Sequence, residues 1–201
     1  MTKIAIDVVL LPSKEMRDKI IKSNRELLRT NENKIVLDKK SCLPHISLAM
    51  GVIKEEDLPK INLILKGISK EFSSMGLIAK SIKIDALSEG GEISSFKIKN
   101  IRELKKLHEK VMRELKNYLS YDAKKYMFYR GSNVDEGTLR WVKNYSKKHD
   151  DSNLFHPHIT LGIGKAEKLK FPIKFKASKL AMCQLGNYCT CRKIISSYEL
   201  N

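Results

Sequence analysis

Pro44-His45-Ile46-Ser47-Leu48 returns in the second half of the chain as Pro157-His158-Ile159-Thr160-Leu161. Polar and apolar residues alternate within each copy, which is the pattern of a short strand, where residues two apart leave on the same face. His45 and Ser47 then share one face, as do His158 and Thr160, while Ile46, Leu48, Ile159 and Leu161 turn to a core. A proline at the head of each strand sets the entry of the chain without removing an interior ladder bond. Each copy thus presents an imidazole and a hydroxyl side by side on a rigid element.

Working outward, each copy sits in its own block of alternating strands and helices. Lys3 to Leu11 is a strand stopped by Pro12, and Ser13 caps a helix to about Thr30 with Met16, Ile20, Ile21, Leu27 and Leu28 on one stripe. The first motif strand, Pro44 to Met50, closes at Gly51. A helix follows from about Glu55, with Leu58, Ile61, Ile64, Leu65 and Ile68 inward and Pro59 in its first turn. In the second block Ile78, Ile82 and Ile84 alternate with polar residues, Gly90-Gly91 makes a turn, and Phe96 and Ile98 resume the alternation. Asn100 and Glu103 resemble a capping box ahead of a stripe of Leu104, Leu107, Val111, Leu115 and Tyr118. A helix from Asp135 to Lys147 precedes the second motif strand, His158 to Ile163. Strands at Lys179 to Leu185 and Tyr188 to Glu199 meet at Gly186-Asn187. No linker splits the blocks, and the mixture of hairpins and helices predicts an α+β fold with largely antiparallel sheets.

Composition narrows the partners. The 201 residues include 39 Lys plus Arg against 23 Asp plus Glu, a formal net charge of +16. That field favours phosphate-bearing partners, although a solvated lysine shell gives the same total. No apolar run is long enough to cross a bilayer and no signal-peptide pattern opens the chain. A cytoplasmic protein without a membrane partner is the expectation. Cys42, Cys183, Cys189 and Cys191 lack the spacing of a structural zinc site. They read as reduced, packed thiols, with Cys189 and Cys191 on one strand face.

Two imidazole–hydroxyl pairs suit acid–base chemistry at a phosphodiester. Histidine titrates near neutrality, so one ring can take a proton from the attacking oxygen while the other gives one to the leaving oxygen. The hydroxyls can donate to non-bridging phosphate oxygens, where charge accumulates. No metal and no cofactor are required.

The paired His–apolar–Ser/Thr–apolar pattern resembles the two-histidine (2H) phosphoesterase superfamily, which includes LigT-like 2'-5' RNA ligases and RNA 2',3'-cyclic phosphodiesterases. Ile6-Asp7-Val8-Val9-Leu10-Leu11-Pro12, the Phe96-to-Leu115 unit and Gln184-Leu185-Gly186-Asn187-Tyr188-Cys189-Thr190-Cys191-Arg192 are similar to bacterial members, so the likeness spans the chain. It implies one bilobal, pseudo-twofold domain over residues 1–201, with motifs at 45–48 and 158–161. Two small antiparallel sheets would line a central cleft with helices outside. It further implies that His45 and His158 are catalytic and that Ser47 and Thr160 bind phosphate. The expected activity is hydrolysis of 2',3'-cyclic phosphate ends of RNA or nucleotides, by a monomer. Alternatives are 2'-5' ligation or cleavage at the same site, or an RNA- or nucleotide-binding module without turnover.

Other residues are candidates of a second rank. Arg130 and Arg192 could hold a second phosphate or stack on a base, and Tyr129 and Trp141 could stack on one. His156 could pair with His158 on a metal, the only support for a metal site. His108 and His149 read as a solvated helix residue and a loop residue.

Overall fold

The computed structural model describes residues 2–30, 35–87, 90–149, 154–166 and 169–201. Among the described residues seven strands and five α-helices follow in the order β1 (Lys3–Pro12), α1 (Lys14–Thr30), β2 (Ile46–Lys54), α2 (Leu58–Glu71), β3 (Met75–Ala86), β4 (Glu92–Ile98), α3 (Arg102–Leu115), α4 (Glu136–Lys143), α5 (Tyr145–His149), β5 (His158–Ile163), β6 (Ile173–Leu185) and β7 (Cys191–Glu199). Every strand pair is antiparallel.

The strands run β2-β1-β6-β3-β4-β5, with β7 also paired to β6. β6 is long enough, at 13 residues, to serve both lobes: 177–184 pair with β1 and 179–185 with β7, while 173–177 pair with β3. The seven strands therefore form one continuous sheet whose two halves are joined through β6. The path begins and ends on the motif strands, and β2 and β5 come back into contact with each other. That curl builds a cleft between the lobes.

Helices close the opposite face, and two of them cross over. α1 leaves β1 of the first lobe yet packs on β5, while α3 leaves β4 of the second lobe and packs on β2. The apolar stripes explain the fit: Met16, Ile20, Ile21 and Leu27 of α1 and Leu104, Leu107, Val111 and Leu115 of α3 are buried in one core with Ile46, Leu48, Ile159 and Leu161. A second cluster covers part of the cleft face of the first lobe with Met127, Phe128, Leu139, Val142 and Tyr145.

Several boundaries differ from the sequence reading. β2 runs through Gly51 to Lys54. A side chain at Gly51 would meet Leu119 Cδ2 at 3.0 Å and the Ser120 carbonyl at 3.1 Å, so this glycine permits close approach of a neighbouring segment, not a turn. α3 starts after Ile101 with no side-chain cap, because Asn100 donates from Nδ2 to the Phe155 carbonyl instead. The Asp135 carboxylate does cap α4, accepting from Thr138 N at 2.7 Å. The helix then breaks at Asn144, and His149 ends the short α5. The expected tight turn at Gly186-Asn187 is longer: Asn187–Cys189 form one 3-10 turn, with Tyr188 (φ 56°) and Cys189 (φ 53°) in the left-handed region.

Cysteine pairing is a further correction. Cys183 and Cys191 form a disulfide, while Cys42 and Cys189 are free. The β6–β7 register sets Leu185 against Cys191 and shifts between Gln184 and Leu185, leaving the Cys183 and Cys191 Cα atoms 5.4 Å apart. Cys189 lies in the preceding turn, not on a strand face with Cys191. No described helix is long and apolar enough to cross a membrane.

Candidate active site

Both motif histidines are anchored in the same way. His45 Nδ1 lies 2.8 Å from the Leu43 carbonyl, and His158 Nδ1 lies 3.0 Å from the His156 carbonyl. A carbonyl only accepts, so each Nδ1 carries the hydrogen and each Nε2 is left to exchange a proton. The proline between ring and carbonyl holds the preceding residue extended, which fixes that geometry.

Each motif strand also carries the same irregularity. Val8 pairs with Ala49 and Val9 with Ser47, skipping Leu48; Ser94 pairs with Gly162 and Ser95 with Thr160, skipping Leu161. A bulge frees a backbone group that needs another partner. Here the crossed helices supply it. His108 of α3 donates from Nδ1 to the Leu48 carbonyl at 2.6 Å, and Asn24 of α1 donates from Nδ2 to the Leu161 carbonyl at 2.7 Å. Asn24 also donates to the Ile35 carbonyl and accepts from Leu37 N, so its amide ties α1, the approach to the first motif and the second motif strand together. His108 stacks on Phe155, with ring centroids 4.0 Å apart, just ahead of the second motif. It is 1% exposed, not solvated; it falls on the stripe of Leu104, Leu107 and Val111, which could have revealed it.

The surroundings of the two rings differ. His45 keeps 14% of its side chain exposed, and its Nε2 is 3.6 Å from Asp7 Oδ2. Burial drives its pKa down to about 4; the Leu43 carbonyl opposes this, and His158, within electrostatic range, adds to it. Ser47 Oγ lies 2.6 Å from the same Asp7 oxygen. Asp7 itself is fully buried, which raises its pKa well above the carboxylate range. His158 keeps an exposed edge, although the protein packed about the ring lowers its pKa; beyond that, Lys83 lowers it and Asp85 raises it. On its face Ser81, Lys97 and His158 form one row across β3, β4 and β5, and Lys83, Ser95 and Thr160 form the next.

A cavity of about 20 Å³ lies between the motifs, with room for about one water-sized group. His45 and Thr160 line it together with Cys42, Tyr188, Cys189 and Thr190. The left-handed Tyr188–Cys189 pair is pinned from outside: Tyr188 N donates to Thr138 Oγ1, which donates to Asn187 Oδ1. The Arg192 guanidinium lies 5.7 Å from the centroid of the Tyr129 ring, within electrostatic range of Cys42. Its charge only partly offsets the burial that raises the Cys42 thiol to about 11. Arg130 and Trp141 are exposed and line no part of the cavity. His156 contributes its carbonyl, and among the described residues no cluster of three or more His, Cys, Asp or Glu could hold a metal. Asp7 is the residue missed in the sequence. Its signal was a lone acid inside the apolar run Ile4 to Leu11.

No family model and no curated protein matches the chain. Solved structures do. TT0787 of Thermus thermophilus is 13% identical, covers 98% of both chains and gives a TM-score of 0.63. LigT of E. coli in complex with 3'-AMP is 15% identical, covers 99% of both and gives 0.60. A structure described as a phosphoesterase is 13% identical over 98% of this chain and 99% of its own, with 0.52. Other LigT structures hold phosphate, NADP+ or ATP. The chain has the LigT-like fold over its whole length.

Proposed function

We propose that this chain is a two-histidine phosphoesterase that opens 2',3'-cyclic phosphate ends of RNA or nucleotides without a metal. One observation supports the reading: two His–apolar–Ser/Thr segments, in a chain 13–15% identical to LigT-fold structures, lie on strands in contact, with His45 and Thr160 on one cavity and each Nδ1 anchored so that Nε2 is the nitrogen that exchanges a proton.

In the hydrolytic direction water attacks phosphorus and the bond to one ribose oxygen breaks. His45, which burial keeps neutral, takes the water proton at Nε2. His158, at the exposed edge beside the substrate's negative charge, delivers a proton to the departing ribose oxygen. The product is a phosphomonoester with one ribose hydroxyl freed. Ser47 and Thr160 donate to the non-bridging oxygens. Lys97 extends positive charge along the second lobe, where the rest of an anionic strand would lie, and Lys83 in the next row is ion-paired with Asp85 at 2.7 Å. Microscopic reversibility lets the same pair make or break a 2'-5' linkage, the reading favoured if the bound ends are those of two RNA fragments.

The experiment is a panel of cyclic-phosphate-ended RNA, small 2',3'-cyclic nucleotides and 2'-5'-linked oligonucleotides, run in EDTA with products resolved. Monoester from a cyclic substrate, lost in His45→Ala and His158→Ala, is expected. Salt-sensitive binding with no product from any substrate identifies a binding module instead.

A further inference from the structure

The buried carboxyl beneath the first motif has no equivalent in the second lobe among the described residues. Matching the two bulges puts Ile93 where Asp7 stands, since Asp7 pairs with Met50 and Ile93 with Ile163. Ser47 is engaged at 2.6 Å by Asp7, whereas among the described residues no such carboxyl stands beneath Thr160.

We propose that Asp7 is a positioning residue that works as a carboxylic acid, donating its hydrogen to Ser47 Oγ so that the Ser47 hydroxyl hydrogen points into the cleft at a phosphoryl oxygen. The inference rests on the phosphoesterase reading and deepens it. A 2.6 Å contact between two oxygens must contain one hydrogen. With Asp7 ionised, that hydrogen is Ser47's own, and the hydroxyl turns only lone pairs toward an anion. With Asp7 protonated, the contact uses the acid's hydrogen and Ser47 keeps its donor for the substrate.

The surroundings select the acid. Asp7 is 0% exposed, Oδ1 has no hydrogen-bond partner, and Oδ2 has Ser47 as its one bonded neighbour among the described residues. A carboxylate buried with so few donors is costly, and the neutral form relieves that cost. His45 faces it from just ahead of β2, Tyr145 from α5 and Cys189 from the turn after β6; the Cys183 disulfide opposite it on β6 does not titrate. None of these is a lysine or arginine. A neutral acid also keeps negative charge from lying under the bound phosphate.

The test compares the 201-residue chain with its Asp7→Asn, Asp7→Ala, Ser47→Ala and Asp7→Ala/Ser47→Ala variants. Affinity for inorganic phosphate and hydrolysis of a small 2',3'-cyclic nucleotide are followed from neutral to alkaline pH. Asp7→Ala is expected to lose about tenfold or more in both. Asp7→Asn is expected to recover most of that loss, because its Nδ2 donates the same hydrogen, and to lack the alkaline fall set by ionisation of Asp7. Asp7→Ala should cost nothing further once Ser47 is alanine. Equal losses in Asp7→Asn and Asp7→Ala, or an undiminished cost in the Ser47→Ala background, overturn the proposal while leaving the enzymatic reading intact. Wild-type protein that neither binds phosphate nor turns over the nucleotide overturns both. If Asp7→Ala does not fold, Ser47→Ala decides alone: it must remove the same alkaline fall.

Discussion

The two motif strands are built alike and furnished differently. β2 and β5 each enter through a proline, turn an imidazole onto a backbone carbonyl, bulge at the second apolar motif residue and receive a buried side chain from the opposite helix. Their neighbours then diverge. The floor beside β2 holds Asp7, Val9, Leu11, Ala181 and the Cys183–Cys191 bridge, all buried; the rows beside β5 hold Lys83 and Lys97, both exposed. In the proposed reaction this symmetry brings two proton carriers to one phosphorus, and the asymmetry of their surroundings gives them different work, with a neutral base on the dry side and an acid on the wet one.

The shared bracing can be broken first, and the effect is the largest on stability. Asn24→Ala leaves three buried backbone groups unpaired, and His108→Ala opens a hole beside Phe155 and frees the Leu48 carbonyl. Each should cost about 3 kcal/mol by denaturant titration. A loss in only one of them would break the equivalence of the two lobes.

The hydroxyls sharpen the contrast next. Thr160→Val keeps shape and removes the proposed donor to the phosphoryl group, so steady-state rates should fall about ten- to a hundredfold.

The smallest effect is on stability against pH. His45 is held at about 4 in the fold against 6.5 when unfolded, so between those values the unfolded chain binds the extra proton. The His45 contribution to stability should be complete above the unfolded value and fall as the pH drops toward 4, by at most about 1.4 kcal/mol per pH unit for one proton; the raised pKa of the buried Asp7 acts in the opposite sense, so the series is read in an Asp7→Asn background. His45→Gln should flatten that fall more than His158→Gln does, because His158 keeps an exposed edge. Thermal melts in a pH series measure it.

Much of this was written in short-range pattern. Residues two apart on a strand share a face whatever the rest of the chain does, so His45 with Ser47 and His158 with Thr160 could be paired from sequence. Helix stripes were equally local. What escaped depends on a partner far away in the chain. His108 looks like a polar residue among lysines until α3 is laid on β2, and Asp7 looks like an interruption until Ser47 is placed above it. Asn100 has the spacing of a cap, yet Phe155 offers its side chain a carbonyl. The Cys183–Cys191 bridge follows from a register shift between β6 and β7 that no residue type announces.

Whether the two rings act as one device is tested most directly by hydrolysis of a 2',3'-cyclic nucleotide by His45→Ala, His158→Ala and the double variant. Both singles should lose about 10²- to 10⁴-fold, with the double no worse than either, as befits groups that share a single step. Losses that multiply in the double variant, or a single variant with unchanged turnover, would contradict a shared phosphorus between the lobes.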